Sequence, residues 1–266
     1  MGCCHRNSPF LRKRDFIMTQ YGLQMFSLRD ITKDDLKGAL AAMAKLGYKK
    51  VEFAGFFGHD AKDVKAWLDE YGLVASGTHT PIEEIAPDKI EETIAYHKAI
   101  GCNVLIIPAY HNQDEEASLE ATISAMNYAE PILKEAGIRL AFHNHSGEFQ
   151  VKPFGKRIFD ELYNRTNIFF ELDTFWAWAA GENPVELMKQ LHDAGRLCEI
   201  HLKDGHQSVN GARPVGKSLG SGDAPVKAVR ECALELGVTM VVESETLTPT
   251  GIEEVGRCMD FLKSLE

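Results

Sequence analysis

Four short stretches end in side chains that bind cations or move protons: Leu140-Ala-Phe-His-Asn-His-Ser-Gly-Glu148, Glu171-Leu-Asp173, Glu199-Ile-His-Leu-Lys-Asp204 and Val241-Val-Glu-Ser-Glu245. Each runs from an apolar segment into imidazoles or carboxylates. Were the four ends to meet, Glu148, Asp173, His201 and Glu243 would make an acidic cluster, and unpaired buried charge is costly. A divalent cation solves that electrostatic problem. Three carboxylates and one imidazole, with no thiolate, suit Mn2+ or Mg2+, and Zn2+ or Co2+ can also be held.

Bringing four chain ends together requires parallel strands, and the pattern from Tyr21 onward supplies them. Strand-like runs are expected at 22–28, 49–53, 74–78, 103–108, 138–143, 167–173, 197–203 and 238–243. Helical periodicity falls between and after them, near 33–46, 60–70, 88–100, 115–136, 155–164, 183–194, 225–236 and 251–265. Gly47, Gly72, Gly101, Gly137, Gly195 and Gly237 each follow a helical run, where a left-handed cap is wanted. Pro184 stands at a first helical position. Strict β-then-α alternation implies right-handed crossovers, and eight units imply a closed (β/α)8 TIM barrel. An open doubly wound sheet would want a Gly-rich turn after the first strand, which is missing. No linker divides the chain, so residues 20–266 are read as a single catalytic barrel domain. Residues 1–19 are read as a flexible leader, upstream of a start at Met18.

Strands buried on both faces should be apolar throughout, yet here polar residues recur at every second position. Ile200 and Leu202 alternate with Glu199, His201 and Lys203; Phe170 and Leu172 alternate with Glu171 and Asp173. Val51 and Phe53 flank Glu52 in the same way. Period two puts the apolar set against the helices and the polar set inside the barrel. The polar residues gather toward the carboxyl ends of their strands, where barrels build active sites. Glu171 and Glu199 lie deeper and are read as interior polar residues paired with Lys203, Lys50 or a histidine.

Composition bounds the function. The hydrophobic share of 44% and charged share of 26% are those of a soluble globular protein. The formal net charge is −10, and Arg6, Arg12, Lys13 and Arg14 are concentrated in the leader, so the remainder is more acidic still. Such a body repels phosphate backbones and disfavours nucleic-acid partners. No apolar run is long enough to span a membrane. Cys102, Cys198, Cys232 and Cys258 are scattered, as free thiols of a cytoplasmic protein would be. Arg6 spoils the lipidation pattern that Gly2, Cys3 and Cys4 suggest, and Arg12-Lys-Arg-Asp-Phe16 lacks the apolar stretch an export signal needs. The partner expected is a small molecule; a homo-oligomer stays open.

Seven short motifs then carry a resemblance: Phe26-Ser-Leu-Arg29, Val51-Glu-Phe53, His143-Asn-His145, Leu172-Asp-Thr174, His201-Leu-Lys-Asp204, Leu219-Gly-Ser-Gly222 and Val242-Glu243. In this order and spacing the chain resembles the sugar phosphate isomerase/epimerase group of the xylose isomerase-like barrels, over essentially all of residues 20–266. The resemblance implies one divalent metal held from strands five to eight, with Asp173, His201 and Glu243 as the last three ligands. Many relatives carry Glu-Asn-His where this chain has His143-Asn144-His145. That leaves His143 or Glu148 for the first ligand, with Glu148 favoured because a carboxylate keeps acid/base chemistry available.

It further implies a sugar, keto-sugar or sugar phosphate isomerase or epimerase, working by proton abstraction beside a carbonyl through a metal-stabilised enediolate. Glu148 and Glu243 are the implied acid/base pair, and Glu52, His79, His143, His145, Trp176, Lys203 and Arg213 the implied substrate contacts. Structural alternatives stand beside several of these. His79 and His145 could be hydrogen-bonded core histidines, Glu52 could pair with Lys50 or Arg29, Lys203 could pair with Asp204 or Glu199, and Trp176 could simply pack. The segment 205–223, with Arg213 and Lys217, is read as a mobile flap without a clear phosphate-binding helix start. An inosose-type dehydratase or a 3-keto-glycoside lyase/epimerase uses the same barrel. An apurinic endonuclease would need more ligands and a basic groove. Of another class is a barrel that binds a sugar without turnover.

Overall fold

The computed structural model describes residues 19–109, 112–208 and 213–266. Its strands in chain order are β1 (Gly22–Gln24), β2 (Lys50–Phe53), β3 (Val74–His79), β4 (Val104–Ile107), β5 (Arg139–His143), β6 (Phe169–Asp173), β7 (Leu197–Leu202), β8 (Asp204–His206), β9 (Val215–Lys217) and β10 (Thr239–Val242). Eight close into a parallel barrel in the order β1-β10-β7-β6-β5-β4-β3-β2, while β8 and β9 form a separate antiparallel ribbon. The (β/α)8 expectation is met.

Helices follow the barrel strands at Leu36–Leu46, Ala61–Tyr71, Ile90–Ile100, Glu116–Glu135, Ile158–Arg165, Pro184–Asp193, Val226–Leu236 and Gly251–Lys263. Gly47 ends the first of them at φ 112°, a left-handed conformation that a side chain would strain. Asn183 starts another, its side chain accepting the N–H groups of Val185 and Glu186 ahead of Pro184.

The alternation read from the sequence sorts the strand residues into two layers. Val51, Phe53, Leu105, Ile107, Phe142, Phe170, Leu172, Ile200 and Leu202 are buried in the main apolar cluster, which also contains the helix residues Leu40, Val64, Leu133 and Met188. Val104, Ile106 and Ala141 form a separate small apolar group, and Glu52, Glu171, Glu199 and His201 are buried polar residues of the strands. Gly77 makes room for this interior. A Cβ there would come within 2.6 Å of both Glu199 Oε1 and Ile106 Cδ1.

Two features depart from the expected layout. The first strand stops at Gln24, whose side-chain oxygen accepts the Phe26 N–H and turns the chain into a 3-10 helix over Met25–Leu28. The aromatic stretch after β6 is a short helix, Thr174–Ala179, capped by Asp173, which accepts the Trp176 N–H at 2.8 Å. Phe175 and Trp176 are thereby turned into the protein.

Candidate active site

Strand register assembles the site. Asp173 pairs with His201 across β6 and β7, Glu171 pairs with Glu199 on the same two strands, and His143 on β5 pairs with Glu171. Glu243 follows β10 directly, and its N–H reaches the Leu202 carbonyl. One ligand atom from each of His143, Asp173, His201 and Glu243 lies within 4.8 Å of the others, and all four residues are buried. The same spacing relates His79, His143, Glu171 and His201, and also Glu52, Glu171 and Glu199.

Hydrogen bonds orient this group. His201 Nε2 lies 2.9 Å from Glu52 Oε1, leaving Nδ1 3.2 Å from Glu243 Oε2 and 3.8 Å from Asp173 Oδ2. His143 Nδ1 lies 3.0 Å from Glu171 Oε2. Each imidazole thus has one nitrogen on an inner carboxylate, the support that histidine ligands of metals receive. Asp173 Oδ2 is buried with no hydrogen-bond partner. Two imidazoles and two carboxylates, one of them with an orphaned oxygen, fit a divalent cation.

The electrostatics separate an inner from an outer layer. Burial and the charge of Glu52 push Glu171 up to about 7. Burial, then Glu52 and Glu171, raise Glu199 well above the carboxylate range. Burial would raise Glu52 as well, but the charges of His201 and His79 prevail and hold it low. His79 rises to about 10 because Glu52 and Glu171 outweigh its desolvation. Burial lowers His143, and the neighbouring cations His201 and His79 lower it further. In the outer layer burial is again opposed by charge: Lys203 holds Glu243 ionised, and Glu243 with Asp173 and Glu245 holds Lys203 as an ammonium.

A cavity of about 360 Å³ adjoins the group, lined among others by Phe26, His79, Pro108, His143, His145 and Glu243. A second of about 200 Å³, with Phe56, Thr93 and Tyr96 on its walls, shares Gly55, His79 and Pro81 with it. His145 caps the 3-10 turn Ser146–Phe149, and the Glu148 carboxylate accepts its backbone N–H.

That cap bears on the choice between His143 and Glu148. The Glu148 carboxylate, fully buried, accepts from His145 N at 2.8 Å and from Gln113 Nε2. Among the described residues the structure groups His143, and not Glu148, with Asp173, His201 and Glu243.

Other expected pairings are corrected. Glu52 meets Gln24, His79 and His201, whereas Lys50 donates to Thr239 Oγ1 and Arg29 to the carbonyls of Phe26 and Glu245. Lys203 pairs with Glu243 at 3.1 Å and with Glu245, not with Asp204 or Glu199. Trp176 is only 2% exposed, and Lys203 and Arg213 lie over its ring at 4.8 and 5.2 Å, so it is no open platform.

Asp204 takes the amides of Gly205, Gly220, Gly222 and Ala224 at 2.8 to 3.2 Å. A Cβ on Gly222 would sit 2.3 Å from Asp204 Oδ1, so glycine is required there. The expected mobile flap is therefore anchored at both ends, through the β8–β9 ribbon and this knot; residues 209–212 lie outside the described residues. The leader also does, apart from its last residue. Cys102, Cys198, Cys232 and Cys258 are free thiols. Gln24, Gln113 and Glu245 were not anticipated as site residues, because each acts through a partner distant in sequence.

Comparison with known proteins places the architecture. The chain is 28% identical to 2-oxo-tetronate isomerase of Haemophilus influenzae over 185 residues, 60% of this chain and 71% of that one. It is 25% identical to inosose dehydratase of Geobacillus kaustophilus over 193 residues, 64% of this chain and 62% of the relative, so less than two thirds of that dehydratase is spanned. The crystal structure of a sugar phosphate isomerase/epimerase from Parabacteroides distasonis superposes with a TM-score of 0.75 at 25% identity, covering 92% of this chain and 97% of the other. The sequence model of the xylose isomerase-like TIM barrel matches residues 40–265. With its closed eight-stranded barrel and a match across most of its length, the chain belongs to the xylose isomerase-like TIM barrel family.

Proposed function

We propose that the protein is a divalent-metal-dependent isomerase or epimerase of a sugar or keto-sugar, moving a proton on the carbon beside a carbonyl. The observation that carries this reading is the convergence of His143, Asp173, His201 and Glu243 beside a cavity, with an Asp173 oxygen that no protein group satisfies. Two imidazoles and two carboxylates suit Mn2+, Zn2+ or Co2+ more closely than Mg2+. Such a cation, when bound, polarises a carbonyl and takes up the negative charge that develops as the neighbouring proton leaves.

The remaining work falls to the chain's own groups. Glu243, kept ionised by Lys203 and bordering the cavity, removes the proton. His145 borders the same cavity, where its ring can meet a substrate oxygen. His79 has Nε2 on Glu52 and Glu171, which leaves Nδ1 to donate to a hydroxyl. Glu148 acts through His145 rather than at the reacting carbon. Return of the proton from Glu243 to the neighbouring carbon gives isomerisation; epimerisation needs a proton from a second group on the opposite face.

Loss of a β-hydroxyl would instead give dehydration, a second reading favoured by the match to inosose dehydratase. Product mass separates the two, since isomers conserve it and dehydration does not. The test is exchange of α-protons in D2O across a panel of ketoses, ketose phosphates and inososes. Mn2+-loaded wild type should incorporate deuterium, chelator-stripped protein should not, and Glu243→Gln should be slower by roughly 10²–10⁴-fold. Equal exchange in all three would overturn the catalytic-metal reading, and binding without any exchange would leave a sugar-binding barrel.

A further inference from the structure

The barrel interior contains a carboxylate that the proposed chemistry does not use. Glu171 is fully buried on β6, two residues before Asp173 and on the same face of the strand. Its Oε2 lies 2.8 Å from His79 Nε2 and 3.0 Å from His143 Nδ1. Its Oε1 approaches His201 Nε2 at 3.2 Å, a nitrogen that hydrogen-bonds to Glu52 instead. One side chain thereby faces histidines from β3, β5 and β7.

His143 has no other hydrogen-bond partner among the described contacts of its ring. An imidazole carries one proton and one lone pair when neutral, and the nitrogen that bonds a metal must present the lone pair. Because Oε2 is shared with His79, it serves as an acceptor, and the His143 proton is drawn to Nδ1. The lone pair is then on Nε2, the ring nitrogen that Glu171 leaves free for the cluster of Asp173, His201 and Glu243 to share with a cation. A carboxylate at 171 thus does for a histidine at 143 what a ligand carboxylate in that place would not need.

We propose that Glu171 is a positioning residue for the metal centre, selecting the tautomer and ring orientation that make His143 a ligand. The inference rests on the metal reading of the site but not on the reaction assigned to it. In wild-type protein with 15N-labelled histidine and Zn2+ bound, His143 should show hydrogen on Nδ1 and metal on Nε2. The opposite arrangement overturns the proposal, and this measurement needs no variant to fold.

A double-mutant cycle supplies the second arm, read as Mn2+ affinity by calorimetry and as the Mn2+ electron paramagnetic resonance spectrum. Glu171→Gln should weaken Mn2+ binding about 10–100-fold. His143→Ala should weaken it as well, and the double variant should lose no more than the larger single loss, because the two residues act as one unit. Unchanged affinity in Glu171→Gln, or losses that multiply, would overturn the proposal. If wild type binds no divalent metal, the metal reading itself falls; if it binds metal and Glu171→Gln is indifferent, only the role of Glu171 falls.

Discussion

The end of β5 and the end of β10 are similarly equipped, and the fold uses them differently. After β5, Glu148 gives its oxygens to a backbone N–H and a glutamine amide, both neutral donors, and is sealed from solvent. After β10, Glu243 faces the ammonium of Lys203 and the Nδ1 of His201, and borders a cavity. A carboxylate whose lone pairs are filled by the chain's own amides braces a loop. One whose partners are an ammonium and an imidazole stays charged beside open space. Its neighbours, more than residue type or strand position, separate the proposed base from the brace.

Exchanging each carboxylate for its amide is the strongest way to break this contrast. Glu243→Gln should cost roughly 10²–10⁴ in kcat for α-proton transfer. Glu148→Gln should cost less than about 10-fold in kcat while lowering stability by about 1–3 kcal/mol in denaturant titrations. Equal losses of kcat would end the distinction. Metal should sharpen it next: Mn2+ at about 100 times its dissociation constant should stabilise wild type by about 2.7 kcal/mol in thermal melts. His201→Ala should abolish that increment, whereas Glu148→Gln should retain it.

The smallest effect concerns what steadies the β10 end. Glu254 accepts from Ser244 at 2.8 Å and Ser218 at 2.9 Å and pairs with Arg257. Burial alone would raise its pKa, but hydrogen bonds from Thr246, Ser244 and Ser218 and the charge of Arg257 lower it. Its folded-state value lies below that of the unfolded chain, about 4.3. The stability it contributes is therefore present above that value and is lost as pH falls through the folded one. Glu254→Gln should flatten the acid limb of melting temperature against pH; an unchanged slope would remove Glu254 from the account.

Much of the fold was legible because period-two and period-3.6 patterns are local. Glu199, His201 and Lys203 against Ile200 and Leu202 specify an interior and an exterior without reference to the rest of the chain. The helix over Thr174–Ala179 was legible in principle, since Asp173 precedes it as a cap, but the adjacent aromatic run reads equally well as a loop. Pairings inside the barrel were not legible. Lys203 has acidic neighbours at 199 and 204, yet it meets 243 and 245, because partners in a closed sheet are chosen by register across strands. Glu148 shows the other limit. Spacing places it near the strand end, while the direction of its carboxylate depends on a three-residue cap and on Gln113 from a different loop.

Asp204 carries a consequence beyond anchoring the ribbon. Barrels of this kind commonly cradle a phosphate in the loops after the seventh and eighth strands, using backbone amides. Here four such amides converge on one carboxylate of the chain itself. The seat is filled from within. A phosphorylated ligand entering at this face would find those donors spent and would have to draw its counter-charge from guanidinium groups, such as Arg29 against Phe26 and Arg213 over Trp176.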